Sequence, residues 1–144
     1  MQKLQLFNKQ DWKEGPWQRE ADLIRWIDPL THLPCSIIRS EETGVWCGYV
    51  AIDYRHPLYM VNKRDATYEY IDVHGGISFA DFLKHHDTWI VPMERRWWIG
   101  FDCMKKLDLA PRVLHQNEDI LEYRTEDYVH TEVSFLAQQL QLME

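Results

Sequence analysis

Short apolar runs separated by turn-forming residues dominate the middle of this chain and predict a sheet. Residues 22–39 contain two such runs around an Asp-Pro turn signal, which favours a strand–turn–strand hairpin over a helix beginning at Trp17. Residues 45–54 are apolar at successive positions and predict a central strand buried on both faces. Residues 97–103 predict a second central strand.

Shorter elements are predicted around these strands. Residues 67–73 alternate between apolar and polar side chains, which predicts a strand leading directly into His74. Residues 79–86 are compatible with a short helical turn, and residues 88–91 with a short strand. Residues 108–122 contain a proline and mixed polarity, so we expect a loop with one helical turn.

The C-terminal segment, residues 125–143, predicts an amphipathic helix. Thr125 is a suitable N-cap, and the two acidic residues that follow it suit the helix dipole. Apolar residues then recur at helical spacing, at Val129, Val133, Leu136, Leu140 and Met143. The polar residues 1–16 predict an arm or edge strand. We therefore expect one α+β domain over residues 1–144, with a mainly antiparallel sheet and the C-terminal helix packed on it.

Composition narrows the possible partners and surroundings. The net charge of −7 disfavours nucleic-acid binding, because phosphate neutralisation needs an excess of Lys and Arg. Three widely spaced cysteines without a CxxC motif predict free thiols in a reducing compartment. With neither an apolar leader nor a membrane-length apolar run, we expect a soluble, cytoplasmic protein without membrane contact. Seven Trp and seven Tyr suggest that some aromatic rings line a binding surface.

Two motifs carry the candidate chemistry. The first is His74-Gly75-Gly76, where the imidazole is a candidate acid or base and the glycine amides are candidate anion donors. The second is Asp102-Cys103, followed by Asp108, at the end of an apolar strand where an ionised carboxylate needs a partner or a use. Because both motifs follow strand-like runs, we expect the two strand ends to form a pocket.

Each candidate also has a structural interpretation. The His-Gly-Gly motif fits a tight turn that needs positive φ angles, and Asp102 fits an ion pair with His74, His56 or Arg96. Cys103 is a candidate nucleophile, although buried cysteines are usually inert. A zinc site can be drawn, but its residues match no known ligand spacing; they are Cys35, Cys47, Cys103 and His74.

Two further residues are predicted to contribute to the pocket. Trp97 and Trp98 should lie on opposite faces of their strand, one in the core and the other, Trp98, available to stack on a planar ligand. His56 precedes a proline and is placed at the rim of the pocket, where its loop would fold over the ligand. Packing alone also explains both features.

The order of short motifs over residues 17–140 resembles a family of uncharacterised phage and prophage proteins. These motifs are Trp26-x-Asp28, Leu33-Pro34-Cys35, Cys47-Gly48-Tyr49-Val50, His56-Pro57, His74-Gly75-Gly76, Trp97-Trp98-x-Gly100-Phe101-Asp102-Cys103, Asp108 and Tyr123-Arg124. The resemblance implies a lineage and no particular reaction. Two positions depart from the family pattern: a family His falls on Lys105, and a family Gly falls on His32. If the family used that His as a ligand or base, this chain has lost it.

These observations lead to two hypotheses. The first is a domain that binds a small anionic or planar ligand, with hydrolysis or group transfer as the reaction class and His74 and Asp102 as candidate catalytic residues. The second is an acidic protein-interaction module without catalysis, such as an antagonist of a host factor. It requires three acidic pairs to form one patch, namely Glu41-Glu42, Glu118-Asp119 and Glu126-Asp127. No motif specifies a cofactor or an oligomeric state.

Overall fold

The computed structural model describes residues 1–83 and 95–144, and six strands within those ranges form one antiparallel sheet. The strands are β1 (Gln2–Leu4), β2 (Leu23–Ile27), β3 (Pro34–Arg39), β4 (Trp46–Ile52), β5 (Phe79–Phe82) and β6 (Trp97–Asp102), and their order across the sheet is β1-β2-β3-β4-β6-β5. One long helix, α1 (Glu126–Leu142), packs on one face against β3 and β4. The predicted α+β architecture is confirmed.

Helix α1 forms where the sequence predicts it, and for the expected reasons. The Thr125 hydroxyl caps its first turn by accepting the Tyr128 amide at 3.2 Å. The side chains buried against the sheet share one helix face and are Val129, Val133, Leu136, Ala137 and Leu140. Gly48 of β4 lies beneath this face, where a Cβ atom would stand 2.6 Å from the Val133 methyl group. That glycine allows the close approach of helix and sheet.

The predicted hairpin and both predicted central strands are also confirmed. Strands β2 and β3 pair in the register Leu23↔Ile38 to Ile27↔Pro34. Their turn is closed by the Asp28 carboxylate, which accepts the amide and the hydroxyl of Thr31, each at 2.9 Å. Strand β6 lies between β4 and β5, inside the sheet. The N-terminal arm contributes β1 as an exposed edge strand.

Two local predictions were wrong. Residues 67–73 do not form a strand, because Asp65 accepts the Thr67 amide at 2.9 Å and initiates a 3-10 helix over Ala66–Tyr70. Residues 79–82, predicted as part of a helical turn, form β5 and pair with β6. The rest of that predicted turn, apart from residue 83, and the predicted strand at 88–91 lie outside the described residues.

A buried ion network joins the N-terminal arm, the sheet and the segment before α1. The fully buried Arg39 of β3 donates from its Nε to Asp22 at 2.8 Å and from a terminal nitrogen to Glu20 at 3.1 Å. Lys9 of the arm pairs with Asp22 at 2.7 Å. Arg39 also donates to the Tyr123 hydroxyl at 2.9 Å. Removing one member leaves the other charges buried without compensation.

We expect Asp22→Ala to lower the free energy of unfolding by about 3–5 kcal/mol at neutral pH. Burial opposes ionisation of Asp22, but the hydrogen bonds from Lys9, the Leu6 and Phe7 amides and Arg39 hold its pKa below the ordinary value. The stability that Asp22 contributes is therefore present above its unfolded-state pKa and is lost as the pH falls through the lowered folded-state pKa. Urea denaturation across this acidic range measures both effects.

The control for this prediction is Asp11→Ala, which removes an exposed carboxylate of the same arm. It should shift the urea midpoint little at any pH. Equal urea midpoints for wild type and Asp22→Ala at neutral pH would mean that the network contributes no stability.

Candidate functional site

The His-Gly-Gly motif forms a tight turn between the 3-10 helix and β5. Gly75 and Gly76 have φ angles of +68° and +80°, in the region that favours glycine. The Gly76 amide donates to the Val73 carbonyl at 2.9 Å. That amide closes the turn, so the two glycines do not provide the paired anion donors that the sequence suggested.

The imidazole of His74 is held at both nitrogens. Its Nε2 lies 2.8 Å from the Asp108 carboxylate, and its Nδ1 lies 2.9 Å from the Tyr128 hydroxyl. The His74 amide donates to Glu132 at 2.9 Å, which fixes the backbone against α1. We use the name His74 cluster for His74, Asp108, Arg124, Tyr128 and Glu132.

Asp108 is the most buried side chain of the His74 cluster, with 1% of its side chain exposed. One carboxylate oxygen accepts from Arg124 Nε at 2.8 Å, and the other accepts from His74 and from the Lys105 amide at 3.0 Å. Because the Asp108 carboxylate pairs with the Arg124 guanidinium, Asp108 acts as the acceptor of the hydrogen bond with His74. His74 Nε2 therefore carries the hydrogen. In the neutral imidazole, His74 Nδ1 is then the acceptor for the Tyr128 hydroxyl.

Tyr128 connects the His74 cluster to the surface of α1. The Arg124 guanidinium lies 5.2 Å from the centre of its ring. Burial raises the pKa of Tyr128, and the negative charge of Glu132 raises it further. The hydroxyl therefore stays protonated at neutral pH and can donate to His74.

Asp102 belongs to an adjacent cluster and contacts none of its predicted partners. Its carboxylate accepts from the Ser78 hydroxyl at 2.9 Å and from the Lys105 ammonium at 3.2 Å. Burial opposes its ionisation, but these two donors and the Met104 amide hold the pKa of Asp102 below its ordinary value. Lys105 joins the two carboxylates, with its amide on Asp108 and its ammonium on Asp102.

Three other predicted site residues do not contribute to a pocket here. Cys103 is 2% exposed, and burial and the neighbouring Asp108 raise its pKa, which disfavours a thiolate nucleophile. Trp98 is completely buried on the sheet face opposite α1, so it cannot stack on a ligand beside His74. His56 is buried at the other end of α1, where Nε2 meets the Leu140 carbonyl at 2.7 Å. Twelve helical residues separate Leu140 from Tyr128, about 18 Å along the axis.

The sequence predictions missed three members of the His74 cluster. Arg124, Tyr128 and Glu132 recur every four residues, and that spacing places polar side chains on one side of a helix and its entry. This polar stripe beside the apolar face of the helix is the sequence feature from which the three residues could have been predicted. Their role could not be assigned because only the fold brings α1 against the His-Gly-Gly turn.

The comparisons with known proteins give no relative for this chain: no protein-family model matches it, and no curated protein or solved structure shows a significant match. Within residues 1–83 and 95–144, no group of three or more His, Cys, Asp or Glu could hold a metal ion. Over the same ranges, no helix combines the length and apolar character needed to cross a bilayer.

We expect Gly75→Ala to destabilise the protein more than Gly76→Ala. Alanine at either position adopts a left-handed conformation, at a cost of about 1–2 kcal/mol. A Cβ atom at Gly75 would also stand 2.5 Å from the Lys105 side chain, whereas one at Gly76 would have no non-neighbouring atom of the described residues within 4 Å. Thermal unfolding of both variants measures the difference, which should disappear when Lys105→Ala is introduced into each. A difference that persists without the Lys105 side chain would contradict the predicted clash.

Proposed function

We propose that this protein binds a small anionic molecule at the His74 cluster and transfers a proton during its hydrolysis or group transfer. The single observation that carries the proposal is the hydrogen-bonded chain from the Tyr128 hydroxyl through His74 to Asp108. A reactive hydroxyl, a base within hydrogen-bond distance and a carboxylate that orients the base form a recurring catalytic arrangement.

The hydrogen-bonded chain contains a group that can take up the proton lost by the Tyr128 hydroxyl. As the Tyr128 oxygen bonds to the phosphoryl or acyl centre of a substrate, the bond to the leaving group breaks and the hydroxyl proton moves to His74 Nδ1. The resulting imidazolium lies against the Asp108 carboxylate, which stabilises its charge. His74 then gives this proton to the leaving group, and water (or the acceptor, in a transfer) releases the bound group and returns a proton to Tyr128.

Burial and Glu132 raise the pKa of Tyr128 and outweigh the positive charge of Arg124, which lowers it, so the oxygen becomes a nucleophile only as its proton moves to His74. Tyr128 is therefore the catalytic residue in this proposal. His74 accepts the proton of its hydroxyl, and Asp108 stabilises the resulting imidazolium.

Two partly exposed cations can attract an anionic ligand, although each already pairs with a carboxylate. Arg124 of the His74 cluster pairs with Asp108, and Lys105 beside the cluster pairs with Asp102. The side chains of Lys105 and Arg124 are 36% and 19% exposed, so both can be reached from solvent. Lys105 occupies the position where the phage family that the sequence resembles has His. A lysine supplies positive charge at neutral pH without acting as a ligand for a metal, so this position supports anion binding here.

The alternative interaction module has less support. It needs an acidic patch from three carboxylate pairs, but Lys3 pairs with Glu126 at 3.2 Å and Lys13 pairs with Glu118. These two ion pairs place positive charge within two of the three proposed parts of the patch. No contact of the described residues favours a protein partner over a small ligand.

We expect Tyr128→Phe to slow turnover strongly while leaving the fold intact, because it removes one hydroxyl and keeps the ring. The probes are p-nitrophenyl phosphate and p-nitrophenyl acetate, whose hydrolysis is followed by absorbance. The wild type should hydrolyse one of them faster than buffer, and Tyr128→Phe should lose about 100-fold in rate. Its melting temperature should stay close to that of the wild type.

The matched control is Tyr70→Phe, which removes the hydroxyl of a tyrosine that is 87% exposed. Its rate should equal that of the wild type. The proposal is wrong if Tyr128→Phe hydrolyses the probes as fast as the wild type, or if the wild type hydrolyses neither.

A further inference from the structure

A cleft lies beside the His-Gly-Gly turn, between Gly76-Ile77 and the 3-10 helix Ala66–Tyr70. Its volume is about 360 Å³, at the lower end of the range for small-molecule sites. None of its lining residues belongs to the His74 cluster. We use the name Gly76 cleft for it. A ligand here would be separate from the reaction proposed at Tyr128.

The floor of the Gly76 cleft can accept a flat ring. Tyr68 and Ile71 are buried and Ile77 is partly buried, so these side chains offer an apolar surface that does not move freely. Apart from its chain neighbours, no described residue has an atom within 4 Å of where a Cβ of Gly76 would stand. The missing side chain therefore leaves space at this edge of the cleft.

Two exposed cations line the same cleft, on the residues before the 3-10 helix. Among the residues that the structure describes, no carboxylate forms an ion pair with Lys63 or Arg64. Within residues 1–83 and 95–144, the Lys63 ammonium donates to the Ser78 carbonyl, at 3.5 Å, and to no other group. Two adjacent cations that form no ion pair with a described carboxylate suit a phosphate group, which a guanidinium can bind through two hydrogen bonds.

The two carboxylates that line the Gly76 cleft differ in whether they can accept a hydrogen bond from a ligand. The Asp65 carboxylate already accepts the Thr67 amide at 2.9 Å, which caps the 3-10 helix. Glu69 is exposed, and no donor among the described residues contacts its carboxylate. A ligand that pairs with both cations can therefore use Glu69 as an acceptor for a ring N–H group.

We propose that the Gly76 cleft binds a small phosphate ester carrying a flat ring with N–H donors, of the nucleoside-monophosphate class. The phosphate lies against Lys63 and Arg64, the ring covers Ile71 and Ile77, and Glu69 accepts a hydrogen bond from the ring. This arrangement uses every unpaired charge of the cleft.

Isothermal titration calorimetry with adenosine monophosphate tests this site on the full chain. The wild type should bind with a Kd between about 10 μM and 1 mM. Arg64→Glu and, independently, Lys63→Glu should each weaken binding at least about tenfold, because each replaces an attraction to phosphate by a repulsion. Neither change removes an ion pair between described residues, and the melting temperature of each variant measures whether the fold is kept.

The matched control is Lys106→Glu, which makes the same change of charge at an exposed position outside the cleft. Its affinity should stay within about twofold of the wild type. Inorganic phosphate should bind more weakly than adenosine monophosphate, because it lacks the ring. The proposal is overturned if wild type does not bind the nucleotide at millimolar concentration, if Lys106→Glu weakens binding as much as Arg64→Glu, or if phosphate alone binds equally well.

Discussion

The buried carboxylate of Asp108 is the constraint on which the candidate site depends. A carboxylate with 1% of its side chain exposed is stable only when charged or polar donors replace the water it has lost. Those donors come from the His-Gly-Gly turn, from the Lys105 amide and from Arg124 at the entry to α1. The hydrogen bonds to this one side chain therefore fix the relative positions of three segments: the His-Gly-Gly turn, the segment that contains Lys105 and Asp108, and the entry to α1.

This constraint also explains why a histidine–tyrosine pair can form at the edge of the sheet. Asp108 orients the His74 ring, and the capped first turn of α1 places Tyr128 at its other nitrogen. The same turn then presents Gly76 on another side, where the cleft with Lys63 and Arg64 opens. One tight turn thus separates two polar surfaces, each with its own chemistry.

The sheet and α1 could be predicted from the sequence because burial imposes a periodicity on apolar residues. The sequence also named His74 and Asp108 as candidates, and the structure brings these two side chains into contact at 2.8 Å. Periodicity shows which face a residue occupies but not what covers that face, and for this reason Trp98 and His56 were placed in a pocket wrongly. At residues 67–73, local capping by Asp65 overrode the alternating pattern, and the chain forms a 3-10 helix over Ala66–Tyr70 instead of a strand.

The direction of the hydrogen bonds through His74 tests the central claim most directly. Two-bond 1H–15N correlation NMR, recorded in a slightly alkaline buffer where histidine is ordinarily neutral, identifies which ring nitrogen carries the hydrogen. The structure predicts the hydrogen on Nε2, facing Asp108, with Nδ1 as the acceptor for Tyr128. A hydrogen on Nδ1 would contradict the account, because His74 could then accept no proton from the tyrosine hydroxyl.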